Sequence, residues 1–336
     1  MDVRPGLLRD RWLLNRTVYE PGQQAGHYES FYQRANHPER PLAFWIRYTI
    51  LAPAGDPDAA VGELWTVAFD GETGQHAAAK QVFPIADCDF ARDRFAVRVG
   101  GAVLGPDGLT GAAGDLSWEL TYTGDAAPVL LLPPKLYAGG FPKAKSLVAL
   151  PLARFSGRYV VAGRAIDVDG WTGSQNHNWG SQHTHRYAFG QVAGFAGAPD
   201  TFLEIATAKA RVAGPLVTPW ATTAVLRHAG AEYSLVSLRQ ALRAKARYGY
   251  FHWDFATEAD SVHISGRITA ERDAFVALRY GNPPGGFKQC LNTKIATAEL
   301  TVRHRGTGRT ETLRAPSRAL FEILTDDTAH GVPVAA

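Results

Sequence analysis

Three observations predict an all-β chain of two tandem antiparallel β-barrels with little helix. Apolar residues alternate with period two in segment after segment, turn residues punctuate the intervals, and one stretch alone carries helical periodicity. The length, 336 residues, corresponds to roughly two domains. The 16 Phe, 12 Tyr and 8 Trp within a 46% hydrophobic composition supply enough apolar mass for real cores.

Taken in chain order, Phe44, Ile46, Tyr48 and Ile50 alternate with Trp45, Arg47 and Thr49, which predicts a strand with one oily face. Phe95, Val97 and Val99 oppose Arg94, Ala96 and Arg98. Leu116, Trp118, Leu120 and Tyr122 oppose Ser117, Glu119, Thr121 and Thr123. In the second half, Val262, Ile264 and Ile268 oppose Ser261, His263, Ser265 and Arg267. Between such runs lie Asp70-Gly71, Gly105-Pro106-Asp107-Gly108 and Gly281-Asn282-Pro283-Pro284-Gly285-Gly286, within a load of 34 Gly and 20 Pro. Helix is expected only over Ser237–Arg247, with Ser237 as N-cap and Leu238, Ala241 and Leu242 on one side. Closing each sheet on itself removes the adhesive edges of open sheets. The division is placed after the Asp167–Ser174 loop, giving barrels over 1–174 and 175–336.

Composition also sets function classes aside. Lys plus Arg is 35 and Asp plus Glu is 32, a formal charge of +3, too small and too evenly spread for nucleic-acid binding. Cys88 and Cys290 are the two cysteines; they form no zinc spacing and no disulfide framework, so free thiols in a reducing compartment are expected. The first twenty residues hold no apolar run of signal-peptide length and no window approaches the ~20 apolar residues of a spanning helix. A cytoplasmic protein with no stable membrane insertion is expected, and the Asn15-Arg16-Thr17 sequon reads as a chance match. There is no GxxxxGK[ST], HExxH, GxSxG or strand-linked GxGxxG motif.

The chemistry concentrates in DGWTGSQNHNWGSQHTHRYAFGQ, residues 169–191. Were 182–191 extended, His183, His185, Tyr187, Phe189 and Gln191 would share one face, with Gln182, Thr184 and Arg186 on the other. Three readings compete. His183 and His185, with His177 as third ligand, have the makings of a metal site; the same amides and imidazoles serve equally as a hydrogen-bonded barrel seam; or they are the polar groups of an otherwise apolar small-molecule pocket, with Trp179, Tyr187, Phe189 and Trp253 in its wall. No metal is assigned. On TFLEIATAKA, Glu204 points with Phe202 and Ala206, where desolvation would raise its pKa and make it a proton donor; a rim salt bridge with Lys209 or Arg211 is the competing reading. Lys288 and Asn292 are further cavity candidates.

The blocks HYESFYQRANHP (27–38), FWIRYTIL (44–51), FPKAK (141–145), WTGSQNHNWGSQHTHRYAFGQV (171–192), FLEIATAK (202–209) and NPPGGFKQCLNTKIA (282–296) resemble the lipocalin-like carotenoid 1,2-hydratase and tocopherol cyclase-type superfamily. The resemblance implies tandem lipocalin-like barrels with a pocket near their junction for a hydrophobic, often isoprenoid, molecule. It further implies enzymes that protonate a carbon–carbon double bond and let water or an internal hydroxyl capture the cation, or that fold polyenes for cyclisation, without metal, nucleotide or other cofactor. His177, Asn178, Trp179 and Gly180 carry over, partly as builders of the inter-barrel seam. An Asp is expected just before that block, where this chain has Asn176, and an amide cannot protonate an alkene. The donor is then Glu204, or a histidinium at His177, His183 or His185, with Asn176, Trp179, Gln182, Tyr187, Phe189, Gln191 and Trp253 around the substrate. The expected function is a cofactor-independent lyase or isomerase acting on a terpenoid or polyene-like molecule; the alternative is a non-catalytic carrier of an apolar ligand.

Overall fold

A computed structural model describes residues 11–336; the first half of the segment read for a leader, residues 1–10, lies outside the described residues. The chain is all-β, built on two large antiparallel sheets. The first, of 12 strands, runs from Ala77–Pro84 at one end through Val61–Asp70, Leu42–Ala52, His27–Asn36, Arg164–Gly180 and Ala144–Val161 to Cys88–Phe90 at the other, and is nearly closed. Its two ends are joined by the short Ile85–Asp87 turn. The ends approach closely at Gly62, where a Cβ would stand 2.2 Å from Cys88 Sγ. The second sheet, of 10 strands, has Arg186–Phe195, Ala198–Lys209, Phe287–His304 and Thr310–Thr325 at its centre. A separate hairpin pairs Arg211–Ala213 with Leu216–Val217.

The strands read from alternation form, with the 95–99 run reduced to Val97–Val99. The expectation of one oily face fails where the sheets meet. Leu42–Ala52 is buried along nearly its whole length and His27–Asn36 along all of it. Phe44, Ile46 and Tyr48 enter the core of the first barrel, whereas Ala43 and Trp45 pack outward against Val276, Leu278, Tyr280, Leu320 and Leu324 of the second sheet. Each barrel thus has its own core, and a third apolar layer lies between them.

Ser237 caps its helix through Gln240 in a reciprocal capping box. The helix stops at Arg243, not Arg247, because Lys245–Tyr248 pair with Trp253–Ala256; sheet hydrogen bonds override a good helix-forming sequence. Of its expected apolar side, Ala241 is buried while Leu238 and Leu242 are exposed. Residues 174 and 175 fall inside the continuous strand Arg164–Gly180, so the chain changes sheet at 181–185, after the expected division. Asn15 of the sequon is buried and donates to Gln175 Oε1. Both thiols are free. Among the described residues no helix is long and apolar enough to cross a membrane.

Candidate functional site at the junction of the sheets

Alternation along Arg164–Gly180 divides the predicted cluster between two environments. Gln175, His177 and Trp179 lie opposite Gln33, Phe31 and Glu29 and face the first barrel's interior; Ser174, Asn176 and Asn178, opposite Arg34, Tyr32 and Ser30, face the second sheet. His177 stacks on Phe31 at 4.3 Å; its Nε2 lies 2.8 Å from Glu29 Oε1 and its Nδ1 3.1 Å from the Leu14 carbonyl. Both partners are oxygen acceptors, one on each ring nitrogen. Glu29 also accepts from the Val18 and Tyr19 amides. Burial alone would raise its pKa, but the hydrogen bonds from His177 and His27 outweigh that and bring it to about 2. Trp179 packs with Tyr137, Leu14 and Leu147. His177 and Trp179 therefore stand behind the sheet, away from the junction.

At the junction, Gln191 is the hub. Its Nε2 donates to Asn176 Oδ1 (2.9 Å) and Glu204 Oε2 (2.8 Å), and its Oε1 accepts from Arg34 Nε (2.8 Å) and Ser174 Oγ (2.6 Å). Asn176 is held further by Ser174 Oγ and the Tyr32 carbonyl, which it reaches as donor. Arg34 continues to Asn36, which donates to the Lys294 carbonyl across the layer. Glu204 is 2% exposed, and burial, only partly offset by the Gln191 bond, raises its pKa to about 8. Among the described residues Glu204 forms no salt bridge with Lys209 or Arg211.

Beside this hub a small cavity of about 40 Å³ lies between Tyr28, Tyr32, Trp45, Arg47, Tyr187, Tyr280 and Glu322, with Asn178, His183 and Thr184 completing it. A water needs roughly 10–15 Å³, so this space is large enough to hold water. Glu322 Oε1 accepts from Lys294 Nζ (2.9 Å) and Asn292 Nδ2 (3.0 Å), while Tyr187 Oη donates to Oε2 (3.3 Å). The Arg47 guanidinium, hydrogen-bonded to Ser30 Oγ, lies 4.3 Å over the Tyr280 ring. His183 stacks on Tyr28 at 4.1 Å with Nε2 3.1 Å from the Gly281 carbonyl. Burial, reinforced by Arg47, lowers its pKa to about 3, so its imidazole is neutral and is not the expected histidinium donor. On the other side of His183 opens a mouth of about 240 Å³, lined by Gln182, His185, Arg211, the 282–288 loop and Asp326. His185 is likewise shifted down, first by burial and then by Lys288 and Arg211.

The structure gathers Tyr187, His183, Gln182 and His185 around these two spaces and Asn176, Gln191 and Glu204 at the adjoining hub. Phe189 flanks Tyr187 on the same face. Trp253 lies in the second barrel's core against Phe255 and Phe321, apart from both spaces. The face predicted for 183–191 holds from Tyr187 onward; His183 and His185 sit on the connection before the strand. With His177 on the opposite side of the first sheet, the three imidazoles do not converge, and among the described residues no three His, Cys, Asp or Glu side chains gather as a metal site. Sequence reasoning missed Glu322, Arg47 and the Tyr28, Tyr32 and Tyr280 phenols. The signal was present for Glu322: FEIL places a carboxylate between apolar residues as FLEI does for Glu204.

No family model matches the chain. An uncharacterized protein of Mycobacterium tuberculosis, from strains CDC 1551 / Oshkosh and ATCC 25618 / H37Rv, is 27% identical over 301 residues, covering 85% of this chain and 86% of its own length. Among solved structures, a protein described as an AttH from Nitrosomonas europaea superposes with a TM-score of 0.57 at 13% identity, over 97% of this chain and 98% of its own. Kievitone hydratase from Nectria haematococca gives 0.54 at 11% identity, over 91% of each chain. At these identities the likeness establishes a shared lipocalin-like barrel fold, one that a hydratase also uses.

Proposed function

We propose that the protein is a hydratase-type lyase that binds a small hydrophobic molecule at the mouth and adds water to it from the inner cavity. One observation carries the reading: a carboxylate and a phenol in mutual hydrogen bond, Glu322 and Tyr187, face a space sized for water beside a larger opening. The fold shared with kievitone hydratase supports it. Glu322 takes a proton from the cavity water as the new C–O bond forms, and Tyr187 gives its phenolic proton to the substrate carbon. The proton left on Glu322 then returns to Tyr187 along their hydrogen bond, so atoms and charge balance over the cycle.

Arg47 decides between two styles of hydration. A guanidinium in the lining opposes a carbocation and favours developing negative charge, so an alkene conjugated to an electron-withdrawing group fits better than an isolated one. Glu204, the donor expected from the sequence, is neutral near pH 7 but lies behind Gln191 and lines neither space; it serves as a proton reserve or a structural post. The test is incubation with conjugated alkenes in ¹⁸O-labelled water, read by mass spectrometry. Glu322→Gln and Tyr187→Phe are each expected to lower turnover about 10²-fold or more, while Glu204→Gln retains it if Glu204 is a post.

A carrier is the second reading, favoured by one observation: at position 176, where the resemblance implies an acid, Asn176 is a fully tied bridge between strands. Ligand binding without labelled product across the panel, with affinity unaffected by Glu322→Gln, decides for it.

A further inference from the structure

We propose that the mouth recognises an oxyanion, a carboxylate or phosphate carried by the substrate, with Arg211 as its counter-charge. The inference rests on the reading of the inner cavity as the reacting end and names the other end of the molecule. Arg211 stands on the small hairpin, tethered by Nη1 to the Gly214 carbonyl at 2.7 Å, with Nη2 3.3 Å from His185 Nδ1. Nη2 is a donor, so His185 Nδ1 accepts, and the imidazole is held in its neutral form. Among the described residues no carboxylate lies within ion-pair distance of Arg211, although its hairpin aims it into the mouth.

Lys288, 8% exposed, donates to Asp326 Oδ1 at 2.6 Å and to the His185 carbonyl at 3.1 Å. Asp326 is the one acid in the lining, so it neutralises one of the two cations and a single positive charge remains uncompensated. Gln182, in the same lining, accepts from Lys143 through its Oε1 at 3.3 Å. A partly enclosed space with excess positive charge and planar guanidinium geometry suits a two-oxygen anion. From there the rest of a small molecule reaches past the His183–Tyr28 stack toward Tyr187 and Glu322.

The test is isothermal titration of the full chain with 4-hydroxycinnamate, phenyl phosphate, inorganic phosphate and the neutral 4-hydroxycinnamyl alcohol. Wild type is expected to bind at least one aromatic anion about tenfold or more tightly than the alcohol, with the advantage shrinking as salt rises. Arg211→Gln is expected to erase that advantage, Arg211→Lys to keep part of it, and neither to alter affinity for the alcohol. Competition by inorganic phosphate assigns the head as phosphate; its absence with cinnamate bound assigns a carboxylate. Equal affinity for acid and alcohol, anion affinity untouched by Arg211→Gln in a variant with unchanged melting temperature, or no binding of any probe overturns the proposal. Tyr187→Phe reports separately on the inner cavity. Anion binding that responds to Tyr187→Phe but not to Arg211→Gln defeats the anion site alone; anion binding that responds to Arg211→Gln but never to Tyr187→Phe defeats the inner-cavity reading alone.

Discussion

Glu204 and Glu322 are both carboxylates buried in the same layer, and they have different partners. Glu204 has an amide as its hydrogen-bond partner, so desolvation prevails and the pKa rises to about 8. A carboxyl whose folded pKa lies above its unfolded value contributes stability that is complete below about pH 4.5 and is lost as pH rises through about 8. Glu204→Gln removes that loss. Its melting temperature is expected to exceed that of wild type by at least about 2 °C at pH 9 and to match it below pH 4; a difference that does not vary with pH refutes this account. Glu322 has the Lys294 ammonium instead, fully buried at 0% exposure. Removing one member of such a pair strands the other, so Lys294→Met is expected to cost about 3–5 kcal/mol in urea denaturation. The double variant Lys294→Met/Glu322→Leu is expected to recover most of that cost while losing turnover. A double variant as unstable as the sum of two singles contradicts the pairing.

The strands were legible because alternation is a local property. Phe44 to Ile50 and Leu116 to Tyr122 each declare one inward face in their own sequence. What covers the other face is not local. Trp45 and Arg47 read as the outer side of a barrel and become an inner wall only because residues two hundred positions later fold against them. The same limit hid half of the candidate site: Tyr187, Gln191 and Glu204 lie close in sequence and were found, whereas Arg47 and Glu322 join them only through the packing of two sheets. His177 shows the converse, a residue in the right block that points to the opposite side of its strand. There it fixes the segment at 11–19. Glu29 accepts from the Val18 and Tyr19 amides and from His177, which also holds the Leu14 carbonyl. With its pKa lowered to about 2, Glu29 contributes stability present above about pH 4.5 and lost as pH falls through 2. Glu29→Gln breaks the buried pair at a cost of about 3–5 kcal/mol. Hydrogen exchange at Val18 and Tyr19 is expected to accelerate before that of the Phe31 or Tyr48 amides, and uniform acceleration argues against a local clasp.

Across the molecule, the layer between the sheets is as much a core as either barrel interior. Tyr32, Trp45, Trp65 and Phe69 of the first sheet meet Leu278, Tyr280, Leu320 and Leu324 of the second, and Val148 meets Phe202 and Val225 nearby. Hydrogen bonds cross the same layer from Arg34 to Gln191 and from Asn36 to the Lys294 carbonyl, and Arg227 reaches the Ala127 and Pro128 carbonyls from the other side. A half freed from its partner exposes large aromatic side chains together with buried polar groups that have lost their acceptors, a combination that favours aggregation. The chain, although it divides into two sheets at 181–185, is therefore expected to unfold in one transition. Residues 1–180 and 181–336 produced as separate polypeptides test this. Each alone is expected to aggregate or to lack a sharp melting transition, and mixing them during refolding is expected to restore a 1:1 complex by size-exclusion chromatography. The complex is further expected to recover binding at the junction, since Tyr28, Trp45 and Arg47 come from one half and Tyr187, Tyr280 and Glu322 from the other. A monomeric, cooperatively melting 1–180 fragment is the result that breaks this argument, because it requires the two-sided burial of His27–Asn36 and Leu42–Ala52 to contribute nothing to the first sheet.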